Sequence, residues 1–489
     1  MKPIRLVDVS VRDGNQSLWS MTGLDSTQML QAAPLMERAG FSAIDFTSST
    51  HMAVGVRYHQ DDPWDRIRRM KQAIPAAPLQ FISTGFRFIS WETADHDFMR
   101  LAYRKLMEAG IGRFSLLDPM HDMEAIIQVA SMIKQEGEAE NMLALTYTLS
   151  EVHTDNFYAE CARQATASGH FDTVYIKDPS GLLTPERART LIPAVRAVIG
   201  DLPLELHSHC TIGLSQFNYM VAAELGIDAL HVALGPLAHG SSLPCATQTI
   251  NNLRTHGYEV DINESAIKAL EKYYFTHAAA EGLPVGTPQA YDAAFTRHQV
   301  AGGVLTTTRR QLAELGLEHK FDAVMAEVER VRFELGSPIM VTPFPQIVAT
   351  QALFNVVGER YGNIPDQVIR YVLGRFGRPT APVDQNVLDR IMALPRTQEI
   401  MLEPATMTLK EKRKQFPAGM SDEEFLLRAV MPADQIDAMV RKTDRAYYYN
   451  PAVKSVLKLL EEIKARPAVK QFQIQKGDFT LSLASGKVP

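Results

Sequence analysis

The chain has 489 residues, 46% hydrophobic and 22% charged, proportions ordinary for globular proteins and unlike those of disordered, collagenous or coiled-coil chains. Fifty Lys and Arg against 56 Asp and Glu leave a net charge of -6, which speaks against nucleic acid or an anionic membrane surface as a partner. Three cysteines exclude a disulfide scaffold, no apolar run reaches the length of a membrane span, and the start MKPIRLVDVS has no signal-like apolar segment, so the expectation is a cytoplasmic protein.

The first 255 residues repeat one theme: a short apolar strand, a polar turn and an amphipathic helix. Strands are expected at 4–10, 42–47, 79–83, 112–117, 141–148, 172–177, 203–208 and 228–233. Helical patterns lie between them, among others at 26–39, 121–136, 154–168, 184–198 and 213–225, with Gly40 and Gly169 as stop signals. Eight such units predict an α/β fold, a closed (β/α)8 TIM barrel over residues 1–255. A doubly wound open sheet is the alternative, weakened by the lack of a glycine-rich phosphate loop after the first strand.

After Asn252 the alternation stops. Helices are expected at 262–281, 309–335, 345–360, 365–374, 386–393, 421–429 and 452–465, and two strands around Lys476-Gly477 at 472–483. This gives a mostly helical extension at 256–465 that completes the active site, and a short β tail at 466–489.

Active sites of such barrels lie at the C-terminal ends of the strands. The first strand ends in Ser10-Val11-Arg12-Asp13-Gly14-Asn15-Gln16, the sixth in Lys177-Asp178, the seventh in His207-Ser208-His209. His207 and His209 leave the same face of a strand. Two imidazoles and the carboxylate of Asp13 suit a divalent ion, Zn, Mn or Co. The plainer reading is two histidines bonded to their neighbours. Lys177 reads, on residues alone, as a lysine paired with Asp178; beside a metal its lowered pKa would let the neutral amine take up CO2 as a carbamate. Arg12 offers a fork to a carboxylate or a developing enolate oxygen, or else a rim ion pair. Cys161 and Cys210 read as core cysteines.

VSVRDGNQSL (9–18), HQDDPWDRIRRMKQAIP (59–75), YIKDPSGLLTPERA (175–188), LELHSHCTIGLS (204–215), RHQVAGGVLTT (297–307) and FPAGMSDEEFLLRAVMP (416–432) occur in one order. Together they resemble the carboxyltransferase component of biotin-dependent carboxylases, the family of pyruvate carboxylase, the oxaloacetate decarboxylase α chain and the transcarboxylase 5S subunit. The resemblance runs from about residue 4 to 465. It implies metal ligands Asp13, Lys177 as its carbamate, His207 and His209. It places Arg12 and Gln16 near the acceptor's reacting oxygen and makes Thr306 the proton carrier.

This sequence also departs from the family pattern. Gly14 and Asn15 stand where carboxylases usually have Ala and His. Thr84 stands where pyruvate-using members carry an arginine for the substrate carboxylate, with Arg87 three residues later. Ala301, Val304 and Leu305 replace a proline and a Gln-Tyr pair beside Thr306. The expectation is that metal and proton chemistry are kept while the acceptor pocket is altered: either Arg87 reaches in to bind the acceptor's carboxylate, or, as the preferred reading, the acceptor is neutral at that end or larger and its anion is held away from Thr84.

The function expected is a carboxyltransferase subunit moving CO2 between carboxybiotin and a small carbonyl-containing acceptor through a metal-stabilised enolate. No Met-Lys-Met biotin motif occurs in the sequence, so the expected partners are a separate biotinyl carrier protein and a biotin carboxylase subunit, in a homo-oligomer. The tail is a candidate carrier-docking element or a plain terminal hairpin. A biotin-independent aldolase or Claisen synthase of the same barrel superfamily shares RDGNQ and H-x-H and stays as the alternative; a scaffold without catalysis has no need of the metal-ligand set.

Overall fold

The computed structural model describes residues 3–89, 93–300, 302–403, 406–442, 471–476 and 479–484, with the backbone alone at 302, 303 and 306 and at most tail positions. Eight parallel strands close into a barrel: β1 Arg5–Asp8, β2 Ala43–Ser48, β3 Leu79–Ser83, β4 Ile111–Leu116, β5 Glu140–Thr146, β6 Thr173–Asp178, β7 Leu204–Ser208 and β8 Ala229–Val232. The open-sheet alternative is thereby excluded. β1 pairs with β8 through Val7↔His231 and Asp8↔Val232, and the β6–β7 register sets Lys177 beside His207.

Alternation accounts for what each strand presents. Strands buried on both faces read as continuous apolar runs, and β2 and β6 are buried at every position. The main core joins the barrel to its helices, with Ile44, Phe81, Phe114, Leu145, Ile176 and Leu206 against Met29, Met70, Leu106, Ile133 and Leu191. Helix starts follow the expected capping chemistry: Asp25 forms a capping box with Gln28, and Thr154 accepts from Phe157 N.

The helices after the barrel do two different things. Residues 300–400 build a second core around Val324, Val328, Val348, Ala352 and Ile369. They are tied to the barrel at its C-terminal mouth. Thr380 donates to Met120 O beyond β4, Thr148 beyond β5 bonds Gln299, and Ser180 beyond β6 donates to Met340 O. Residues 409–441 instead return to the outer wall, where Phe425 meets Phe98 edge-on and Trp64 Nε1 donates to Glu423 O. The helix expected over 309–335 is two helices, Gly302–Glu314 and Phe321–Glu334, interrupted at 315–320. The break comes at Gly316, whose left-handed backbone lets Leu317 N return to Leu312 O. The tail strands, Gln471–Lys476 and Phe479–Ala484, pair antiparallel. The helix expected at 452–465 lies outside the described residues.

Gly181, in the turn after β6, shows how tightly two strand ends meet. Its φ is +68°, and a Cβ there would lie 2.5 Å from the carbonyl oxygen of His209 and 2.9 Å from Thr211 N. Gly181→Ala should therefore cost at least about 1–2 kcal/mol for the left-handed backbone alone, and push the His209 segment outward. Urea unfolding reads this out; an unchanged midpoint would contradict the packing described.

Candidate active site

The site begins with an irregularity. After β1 the chain makes a single π-type turn, Ser10–Gly14, before the short helix Asn15–Trp19. The turn is buried and carries Arg12 and Asp13 across the barrel mouth. Leu237 explains Gly14, since a Cβ there would stand 3.0 Å from the Leu237 carbonyl oxygen. Asn15, at the position of the family's histidine, bonds His51 Nε2 at 3.3 Å.

Asp13 Oδ2 is the meeting point. It lies 3.1 Å from His207 Nε2, 3.5 Å from His209 Nε2, 3.5 Å from Lys177 Nζ and 2.7 Å from Arg12 Nη2. His207 Nε2 is in turn 3.1 Å from both His209 Nε2 and Lys177 Nζ. All five side chains are buried. Strand geometry produces this: His207 and His209 share a face of β7 and its extension, and the register puts Lys177 next to His207. Asp178, one residue on, turns to the other side and accepts from Leu182 N, Leu183 N and Ser208 Oγ. The reading that pairs Lys177 with Asp178 is therefore not what the fold builds.

The charges answer to this crowding. Burial opposes ionisation of Asp13, but Arg12, then His209 and Lys177, outweigh it and hold its carboxyl well below the usual range. Burial pulls the Lys177 amine down to about 8 against the attraction of Asp13. Burial, reinforced by Lys177, keeps His207 neutral, its pKa well below that of a free imidazole.

A divalent ion fits these residues. One ligand atom from each of Asp13, His207 and His209 lies within 4.8 Å of the other two. His209 Nδ1 is 2.7 Å from Ser241 O, and a carbonyl can only accept. His209 therefore carries a hydrogen on Nδ1, and Nε2 is the nitrogen that faces the cluster. Ring nitrogens facing each other at 3.1 Å call for a shared proton or a cation between them.

Arg12 is less available than a free fork. Nε donates to Asp45 Oδ2 at 2.9 Å, Nη2 bonds both Asp45 and Asp13, and Nη1 points to Gln16 Oε1 at 3.4 Å. Only the Gln16 side of the guanidinium faces outward. Thr84 follows β3, half-buried, and lines a small cavity of about 180 Å³ with Ser49 and Arg57. Arg87 donates to Thr84 O at 3.2 Å and stands 4.0 Å from Asp118, so this cation is already bound on the rim. Thr306 lies on the helix Gly302–Glu314; its side chain is outside the described residues. That helix follows a clamp on the end of β5: Gln299 and Arg332 both bond Thr148 and Leu149. Sequence patterns passed over Asp45, Arg113, Glu205 and His231, which fill the barrel interior beneath the site. Their signal was available as polar residues inside otherwise apolar strand runs.

Comparison with known proteins agrees with this geometry. A family model described as a conserved carboxylase domain matches residues 296–481, and the HMGL-like model matches residues 3–273, more than half of the chain. A pyruvate carboxylase subunit of Methanocaldococcus jannaschii is 31% identical over 468 residues, 94% of this chain and 81% of that one. The methylmalonyl-CoA carboxyltransferase 5S subunit of Propionibacterium freudenreichii is 26% identical, over 88% of this chain and 86% of that one. The carboxyl transferase domain of Rhizobium etli pyruvate carboxylase, solved with pyruvate, superposes with a TM-score of 0.82 at 20% identity, covering 99% of this chain and 83% of that one. The chain thus belongs to the carboxyltransferase family of biotin-dependent carboxylases, and it is an enzyme of that class. The match over 296–481 decides against the biotin-independent aldolase or Claisen reading.

Arg12→Lys keeps the charge, but one ammonium cannot replace the fork that joins Asp45 to Asp13. Loss of a charged hydrogen bond of about 1.5–3 kcal/mol should lower carboxyl transfer about tenfold or more while the fold is kept. Activity within twofold of wild type would show that the fork is dispensable.

Proposed function

We propose that this chain transfers a carboxyl group between a carboxylated biotinyl carrier protein and a carbonyl-containing small molecule, with a biotin carboxylase subunit charging the carrier. The observation that carries this reading is the buried convergence of Asp13, Lys177, His207 and His209 at the mouth of a barrel of this family. In this reading Asp13, His207 and His209 hold a divalent ion, joined by Lys177 once its amine is carboxylated. The neutral amine attacks CO2, a nitrogen–carbon bond forms and one proton leaves, so a buried cation becomes an anionic oxygen ligand. A pKa of about 8 leaves part of the Lys177 population neutral near neutral pH. Bound there, the ion would act as a Lewis acid toward the acceptor's carbonyl oxygen.

The chain's own groups do the rest. Arg12 and Gln16 stand beside the position of that oxygen and stabilise negative charge as it develops. Thr306 Oγ1 carries the proton between acceptor carbon and biotin nitrogen. The helices over the mouth exclude water, which would otherwise waste the carboxyl group. Residues 1–255, 256–465 and 466–489 serve in this reading as the metal-bearing barrel, the layer that completes the site and a tail available for carrier docking.

The test is direct transfer. Purified chain, a carrier loaded with labelled carboxybiotin and candidate acceptors should yield acid-stable label. About one divalent ion per chain should copurify, and His209→Ala should lose both ion and transfer. Active protein free of metal by elemental analysis would refute the metal site. Under labelled CO2, a carbamate carbon resonance should appear in wild type and be missing in Lys177→Gln; its absence from both would refute the carbamate.

The acceptor differs among the named relatives, one a pyruvate carboxylase subunit and one a methylmalonyl-CoA carboxyltransferase subunit. Thr84 offers no charge to a carboxylate, and a carboxylate buried without a partner loses binding. Arg87 already spends its charge near Asp118. The acceptor's anion is accordingly held elsewhere, and pyruvate should be a poorer acceptor than a larger or differently charged carbonyl compound. Equal kcat/KM for pyruvate and the best alternative would overturn this, and loss of pyruvate use in Arg87→Ala would place the carboxylate on Arg87.

A further inference from the structure

We infer that Glu205 and His231 are positioning residues that set the proton of His207 on Nδ1 and so bare its Nε2 toward the cluster with Asp13 and His209; this rests on the reading of that cluster as a metal site. The chain of contacts runs through the barrel interior. Arg113 Nη2 donates to Glu205 Oε1 at 2.8 Å, and Glu205 Oε2 is 3.0 Å from His231 Nε2. His231 Nδ1 is 3.1 Å from His207 Nδ1. Arg113, Glu205, His231 and His207 are each at most 2% exposed, so no solvent stands in for a missing partner.

The direction of every bond follows from the ends. Arg113 can only donate. The Glu205 carboxylate, its charge matched by Arg113, can only accept, so His231 carries a hydrogen on Nε2. Arg113 also pairs with Glu140 through Nε at 3.0 Å, whereas His231 meets the carboxylate of Glu205; a second hydrogen on His231 would bury a further cation beside Arg113. His231 Nδ1 is then a lone pair, and the contact with His207 is a hydrogen bond only if His207 Nδ1–H donates. His207 Nε2 is left bare, 3.1 Å from Asp13 Oδ2 and 3.1 Å from His209 Nε2. The ring of Tyr175 stacks on His231 at 5.4 Å and 10° and holds its plane, while Tyr175 OH bonds Ser115 Oγ at 2.6 Å.

A structural role alone accounts poorly for this network. Barrel interiors are ordinarily filled by branched apolar side chains, and a buried Arg–carboxylate pair is often no more stabilising than apolar residues of the same volume. The network meets the candidate ligands at His207 Nδ1, the atom that decides which nitrogen is free to bind.

Glu205→Gln tests the direction. Arg113 requires an acceptor, so the amide oxygen turns to it and the amide NH2 faces His231 Nε2. The protons of both histidines then reverse, and His207 carries hydrogen on Nε2. His231→Gln preserves the direction, since its amide oxygen accepts from His207 and its NH2 donates to Glu205. Titrating Co2+ alone into the metal-free full chain, read by visible absorption, should show tight binding in wild type. Glu205→Gln should bind about ten- to hundredfold more weakly, and His231→Gln should stay within about fivefold of wild type on the same scale. The thermal transition in chelator confirms that each variant is folded. Folded Glu205→Gln that binds Co2+ within twofold of wild type overturns the inference, as does a His231→Gln as weak as Glu205→Gln. Should Glu205→Gln fail to fold, nitrogen NMR of metal-free wild type decides: Nδ1–H on His207 supports the inference, and Nε2–H overturns it. Wild type that binds no Co2+ refutes the metal reading and this inference with it, whereas wild type that binds Co2+ no more tightly than folded Glu205→Gln refutes the inference alone.

Discussion

One carboxylate oxygen organises this molecule. Asp13 Oδ2 receives Arg12 on one side and faces Lys177, His207 and His209 on the other, all out of water. So many polar groups crowded around one acid cost desolvation that a single negative charge repays in part. The π-type turn after β1, the in-register pairing of β6 with β7 and the glycine at 181 are the local features that hold this arrangement closed. A divalent ion with a carbamate on Lys177 would relieve it, turning one cation into an anion and giving both imidazole lone pairs a partner.

The barrel and the later helices divide the work. The barrel supplies charge from four strands or their extensions, β1, β2, β6 and β7. The helices of residues 300–400 build their own core and touch the barrel where β4, β5 and β6 end. Chemistry that must exclude water needs such a cover, because electrostatic interactions strengthen as the local dielectric falls. Arg332 and Gln299 anchor the cover with bonds to Thr148 and Leu149, next to the helix that bears Thr306.

The departures from the family pattern concern Asn15, Thr84 and the segment that bears Thr306. Asp13, Lys177, His207 and His209 keep their types, while Thr84, Asn15 and the residues around Thr306 do not. Two of the changed residues have local partners here: Asn15 bonds His51, and Thr84 gives its carbonyl to Arg87. A site can keep its charged groups while its walls are rebuilt, because those groups come from rigid strand ends and the walls from the loops beyond them.

The eight strands, the barrel and the residues that form the cluster were legible in the sequence, because strand alternation and short βα units are local properties that survive in one dimension. The pairing of His207 with His209 followed from a two-residue spacing. What joined Asp13 to Lys177, far apart in the chain, was strand register and barrel closure, which no local pattern carries. The polar interior of Asp45, Arg113, Glu205 and His231 escaped notice for the same reason. Each sits inside a buried strand, and only closure of the sheet brings the four strands that bear them around one interior. The split of the 309–335 helix was decided at Gly316 by packing on the second core. Composition and period thus determined the class of fold and the kinds of side chain at the strand ends; the closed barrel alone decided which charge faces which.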